Sequence, residues 1–91
     1  MEIKVFATLR DVVGGKSIQI DITQPVRAAE LLSQVVAKHP PLRAKLFAQD
    51  GGLNPSVHIL INGRDVRFLD GLDTVVGPSD SVQMFPPVGG G

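Results

Sequence analysis

The residues best placed to do chemistry close the sequence, in the run Phe85-Pro86-Pro87-Val88-Gly89-Gly90-Gly91. Two prolines favour an extended exit path, and three glycines carry no side chain and rotate freely. At about 3.3 Å per extended residue, the six residues after Phe85 reach roughly 20 Å. Such a thread can enter a tunnel that admits no Cβ atom. The carboxylate of Gly91, unhindered towards a bulky reagent, is the candidate reactive group, and Gly89 and Gly90 give access to it. Glycine-rich termini are also where functionless disorder gathers. Against that reading, the prolines directly follow a segment with a good apolar face, so the tail is anchored and aimed.

The other chemistry-bearing residues form no competing site. The chain has no cysteine, which excludes a disulfide framework, a thiolate metal centre and a cysteine nucleophile, and fits a reducing, cytoplasmic setting. His39 and His58 show no metal-ligand spacing with each other or with a carboxylate pair. Asp65, Asp70, Asp73 and Asp80 fall at turns, where aspartate bonds the local backbone, and lack the calcium-loop pattern. Gly14-Gly15 and Gly51-Gly52 are turn glycines outside any phosphate-binding motif. Without a nucleophile, base and oxyanion set, a self-contained enzyme is not expected. Nine basic residues balance nine acidic ones, so nothing draws the chain to nucleic acid or an acidic membrane. No stretch has the ~20 apolar residues of a membrane span.

The elements that must position the tail follow from periodicity. Alternation over residues 2–9 and 17–23 predicts two strands joined through Gly14-Gly15 as a hairpin. Thr23 as N-cap, Pro25 in the first turn, and Val26, Ala29, Leu31, Leu32, Val35 and Val36 at spacings of three and four predict a helix to Lys38, ended by Pro40-Pro41. A shorter helical piece spans 42–48, with Leu42, Leu46 and Phe47 towards the core. A third strand over 56–62 buries Val57, Ile59 and Ile61. Asn62-Gly63 is a tight-turn signal before a short strand, 64–68. Turns at 70–73 and 77–80 lead to a last strand, 81–85, with Val82 and Met84 inward.

Five strands and one substantial helix on one face make a two-layer α+β domain. In so small a sheet the first and last strands are expected to be central, parallel neighbours, which is the β-grasp arrangement. The predicted organisation is a folded domain over 1–85 and a flexible tail over 86–91. Alternation puts Phe6, Leu60 and Phe85 on the face away from the core, beside Lys4, His58 and Gln83. If the 51–55 loop leaves them open, they form an apolar docking patch, with Arg10, Arg64 and Arg67 as rim or solvated charges.

Phe85-Pro86-Pro87-Val88-Gly89-Gly90-Gly91 resembles the last strand and tail of the MoaD/ThiS family of ubiquitin-like sulfur carriers, with Gly89 in the small-residue slot. Phe6-Ala7 with Leu9-Arg10, Ile61-Asn62-Gly63, and Asp80 with Ser81-Val82 add weaker matches along the chain. The third glycine departs from the pattern, and alignment through Val88 makes Gly90-Gly91 the functional pair. The resemblance implies that a ubiquitin-activating-type adenylyltransferase uses ATP and magnesium to adenylate Gly91. Sulfur from a persulfide donor then gives a thiocarboxylate for an acceptor such as a synthase large subunit. The carrier itself would bind no cofactor and no metal, would be a monomer when free, and would dock through Phe6, Leu60, Phe85, Pro86, Pro87 and Val88. Two alternatives stay open: a protein modifier joined through Gly91 to lysines of other proteins, and a passive β-grasp interaction module. Arg67-Phe68 with Gly71-Leu72 resembles the branch of cysteine-synthesis carriers and archaeal small modifiers. Phe85-Pro86-Pro87-Val88 instead resembles the molybdopterin-synthase small subunit. The receiving pathway, of molybdopterin, cysteine or thiamine type, is not chosen by the sequence.

Overall fold

A computed structural model of the chain describes residues 1–86. Strand β1 (Glu2–Val5) buries Ile3 and Val5 and turns Glu2 and Lys4 outward. It stops short of the expected residue 9 because Ala7, at φ 51° and ψ −130°, turns the chain into helix α1 (Thr8–Val13). Gly14 ends α1 in the left-handed conformation, at φ 74°, where glycine alone pays no steric cost. Strand β2 (Ser17–Gln19) then pairs antiparallel with β1, Ile3 opposite Ile18. The expected hairpin pairing is therefore present, but a short helix replaces the simple loop.

The main helix also begins later than its sequence signals suggest. Val26 and Arg27 form strand β3 (Val26–Arg27), Arg27 occupies the N-cap in extended conformation, and helix α2 runs Ala28–Lys38. Thr23 and Pro25 thus lie outside the helix. Ala28, Leu31, Leu32, Val35 and Val36 form its buried stripe, with Ala28 rather than Ala29 turned inward. Pro40–Leu42 follows as a tight 3-10 turn and leads into α3 (Arg43–Leu46). Leu42 and Leu46 are fully buried, and Phe47 is half-buried.

Strand β4 (His58–Ile61) alternates as expected, with Val57, Ile59 and Ile61 buried. Asn62 and Gly63 have φ of 52° and 84°, the two left-handed positions that match a hairpin turn to strand twist. Strand β5 (Arg64–Asp65) is only two residues long, because Val66–Phe68 turns away as a 3-10 segment. A second such turn, Gly71–Asp73, precedes strand β6 (Val75–Val76). Strand β7 (Val82–Phe85) ends the sheet.

The five-stranded sheet has the order β2-β1-β7-β4-β5. As expected, β1 and β7 are parallel neighbours inside it, while β4 flanks β7 antiparallel on its other side. The pair β3-β6 forms a separate small sheet that the sequence did not announce. One continuous apolar core joins the inward face of the sheet to α2 and α3. Strand β7 is consequently held by ladders on both edges, so the residues that follow it leave from a fixed position.

Candidate functional site

The face of the sheet turned away from α2 carries the candidate site. Register fixes its layout. Across one row, Lys4 of β1 lies opposite Gln83 of β7, which lies opposite Leu60 of β4, which lies opposite Asp65 of β5. In the next row, nearer the tail exit, Phe85 lies opposite His58. The Phe6 amide donates to the Met84 carbonyl at 3.2 Å, which extends the β1–β7 contact by one residue.

Phe6 and Phe85 are thereby brought together. Their rings stack with centroids 4.3 Å apart and planes 7° from parallel, and both side chains are half-buried. The Arg10 guanidinium lies 5.2 Å from the centroid of Phe6, within cation–π range, and Arg10 Nε donates to the Val5 carbonyl at 2.9 Å. Leu60 is half-buried and sits diagonally from Phe85 across the β4–β7 pair. The three expected patch residues thus share one face. The 51–55 loop is tied on two sides: Asn54 N–H donates to the Leu46 carbonyl at 2.8 Å and Phe47 bridges to Leu53, while the Asn54 carbonyl accepts from Arg67 Nη2 at 2.6 Å.

A polar cluster borders the aromatic pair, and the sequence reading did not single it out. His58 Nδ1 and Asp65 Oδ2 are 2.8 Å apart, and Arg67 reaches the same oxygen at 3.5 Å. Arg67 N–H donates to Asp65 Oδ1 at 2.9 Å, and Arg67 Nη2 donates to the Asn54 carbonyl at 2.6 Å. Burial pushes the Asp65 carboxyl up, but the Arg67 backbone N–H, the His58 hydrogen bond and the charges of Arg67 and His58 outweigh it and leave it below the usual carboxylate range. Asp65 consequently stays ionised and holds His58 and Arg67 as a fixed edge beside the patch. The signal for this cluster lay in the Asn62-Gly63 turn, since a two-residue hairpin sets Asp65 opposite Leu60 and diagonal to His58.

Asp80 has a purely structural position. Its carboxylate accepts from Gly77 N–H at 2.7 Å and from Asn62 Nδ2 at 3.0 Å. The Gly77 N–H, then the Asn62 amide, hold its carboxyl below the ordinary range. Asn62 Oδ1 accepts from Ser81 N–H at 2.9 Å, so the β4–β5 turn is latched to the start of β7. Among the described residues, no three His, Cys, Asp or Glu side chains are grouped to hold a metal ion, and no helix is long and apolar enough to cross a membrane.

Pro86 is buried at the end of β7, so it fixes the point of departure rather than adding exposed surface. Pro87, Val88, Gly89, Gly90 and Gly91 lie outside the described residues. Among the described residues the candidate site is therefore a half-buried aromatic pair with a charged edge, set around the strand that the tail follows.

A five-stranded sheet with parallel first and last strands, crossed by one main helix and ending beside an outward aromatic pair, defines a ubiquitin-like β-grasp protein. The profile of the ThiS family matches residues 3–91, and the chain belongs to that family. It is 40% identical over 91 residues to small archaeal modifier protein 3 of Haloferax volcanii, covering all of this chain and 98% of that one. It is 35% identical over 63 residues to the sulfur carrier protein CysO of Mycobacterium tuberculosis, covering 67% of this chain and 68% of that one. Among solved structures, SAMP1 from Haloferax volcanii superimposes with a TM-score of 0.84 at 31% identity, over 99% of this chain and 97% of that one.

Proposed function

We propose that this chain is a sulfur carrier, a protein cosubstrate that works through the carboxylate of Gly91. The family match running through residue 91 supports this reading most, because it aligns the tail together with the fold that aims it. A carboxylate is a poor electrophile. In the proposed sequence a Gly91 oxygen attacks the α-phosphorus of ATP on an activating enzyme of the ubiquitin-activating type. Pyrophosphate leaves and an acyl adenylate forms. The terminal sulfur of a donor persulfide attacks the acyl carbon and displaces AMP. A thiol then attacks the donor-side sulfur of the acyl disulfide, forms a new disulfide with the donor, and expels the thiocarboxylate of Gly91. No side chain of the carrier takes part in these steps, and magnesium and ATP belong to the activating partner.

In this reading the folded domain supplies placement. Phe6, Leu60 and Phe85 dock the activating enzyme and then the acceptor, Pro87 and Val88 continue the aimed path, and Gly89 and Gly90 pass the narrow channel. Incubating the purified chain with its activating enzyme, ATP, magnesium and a persulfide donor tests it. Intact mass should rise by the difference between sulfur and oxygen, and an unchanged mass under conditions that consume ATP would overturn it.

A second reading is favoured by the 40% identity to a protein named a small archaeal modifier. There, the same activated Gly91 is attacked by a lysine amine of another protein, AMP leaves, and an isopeptide bond forms. The two readings share activation and part at the acceptor. High-mass conjugates in cells that vanish when Gly90-Gly91 is deleted would favour the modifier. A passive module would keep its function after that deletion. The pathway that receives the sulfur, whether of cysteine, molybdopterin or thiamine type, is decided by which synthase captures the tail.

A further inference from the structure

Charge is spread unevenly over the outward face of the sheet. The strands of the five-stranded sheet carry two carboxylates, Glu2 and Asp65. Asp65 is covered: its side chain is 11% exposed, against 49% for His58 and 31% for Arg67, the two side chains that reach its Oδ2. Glu2 stands four residues before Phe6, about 13 Å along the strand at 3.3 Å per residue, and accepts from Gln19 Nε2 at 3.4 Å. The cations lie closer to the aromatic pair and are less committed. Lys4 is exposed on the same side of β1 as Phe6, two residues away, and lies opposite Gln83. Arg10 is exposed, holds its guanidinium 5.2 Å from the Phe6 centroid, and spends only Nε on the Val5 carbonyl. Its Nη groups keep their donors for another acceptor. Among the described residues neither Lys4 nor Arg10 is in an ion pair, and Asp11, next to Arg10 in α1, makes none with it.

Resting on the reading of Phe6, Leu60 and Phe85 as the docking face, we propose that the partner meets it with an acidic surface: carboxylates placed to take Lys4 and Arg10, around an apolar group that seats on the Phe6–Phe85 stack. A basic partner would bring its charge against Lys4 and Arg10 with no open carboxylate near the rings to receive it, since Asp65 is already occupied. An apolar partner without carboxylates would strip water from Arg10 and leave its Nη donors unmatched. With a formal net charge of zero the chain as a whole attracts neither sign, so the pull is confined to this patch. The two parts of the face then divide the work. Charges at the rim of an interface speed and orient the encounter, whereas a desolvated aromatic anchor slows its release.

Association and dissociation rates of the full chain with its activating enzyme, measured from about 50 to about 500 mM NaCl, separate these contributions. The association rate should fall about tenfold across that range, and at the low-salt end Lys4→Glu should lower it by about three- to tenfold with little change in dissociation. Arg10→Gln should act in the same direction; because Arg10 also bonds the Val5 carbonyl, Lys4→Glu, which breaks no such bond, is the deciding variant. Lys45→Glu makes the same change of charge on exposed α3, in the helix layer, and should alter the association rate much less. Phe85→Ala should instead speed dissociation. Association that is indifferent to salt and to Lys4→Glu, or faster at high salt, while Phe85→Ala still weakens binding, would overturn the acidic partner and leave the docking face standing. An equal effect of Lys45→Glu would make the attraction general rather than local and would overturn it too. Unchanged kinetics for a folded Phe85→Ala would remove the docking face itself, and the proposal with it.

Discussion

Ala7 adopts φ 51° and ψ −130°, a conformation that suits glycine, and Leu9 N–H closes the turn onto the Phe6 carbonyl at 3.1 Å. A non-glycine residue held there costs on the order of 1–3 kcal/mol. Glycine would relieve that strain but give back about 0.4–1 kcal/mol through a freer unfolded chain. The first effect is the larger, so Ala7→Gly should stabilise the fold by about 1 kcal/mol, read as a higher urea midpoint; a lower midpoint would contradict the assignment of strain. The neighbouring Phe6–Phe85 stack calls for the opposite experiment. Phe85→Ala removes a stacked pair worth about 0.5–1.5 kcal/mol beyond its burial, which leaves the domain folded. Affinity for the activating enzyme should nevertheless fall about tenfold or more if the ring is an interface anchor. An unchanged affinity in a folded variant would take the aromatic pair out of the docking account.

The elements show how local signals and tertiary pairing compete. Thr23 and Pro25 form a sound helix start by local rules, yet Val26 and Arg27 pair with Val76 and Val75 instead. The Ala28 N–H, at the first turn of α2, donates to the Thr74 carbonyl at 2.8 Å, doing what a side-chain cap would have done. No periodicity within a two-residue strand could have announced this, and α1, at six residues, is too short for its own period to stand out from β1. By contrast, Val57, Ile59 and Ile61, Val82 and Met84, and the Asn62-Gly63 turn were legible because each is fixed by neighbours within a few residues. The candidate site divides in the same way. Alternation placed Phe6, Leu60 and Phe85 on one face, whereas the His58–Asp65–Arg67 cluster needed the register between β4 and β5. Asp65 and Asp80 add a pH dependence at this scale. Both carboxyls sit below the usual value of 3.8, so the stability they contribute is complete above that value. It is lost as pH falls through their lower folded values. Asp80→Asn should flatten this acid limb and cost about 1–2 kcal/mol at neutral pH by weakening the latch between Gly77, Asn62 and the start of β7. Urea midpoints measured against pH check both, and an unaltered acid limb would show that Asp80 is not a source.

At the scale of the whole molecule, the fold separates two poles. One end of the central strand β7 bears the aromatic pair and the buried Pro86; the other bears the Asn62–Asp80 latch. Paired on both edges, β7 is among the last parts of such a sheet to open, so the point at which Pro86 leaves it is held by a secure element. Nothing in this arrangement requires a reactive side chain, in keeping with a chain that has no cysteine. The carrier reading accordingly predicts that side-chain changes alter rate through docking, while deletion of Gly90-Gly91 abolishes transfer without changing the urea midpoint. The most direct test is the intact mass of the full chain after reaction with its activating enzyme, ATP, magnesium and a persulfide donor, with tandem fragmentation to locate the change. One oxygen replaced by sulfur, confined to Gly91, is the expected result. A mass that stays unchanged while ATP is consumed, or sulfur found on any other residue, would contradict it.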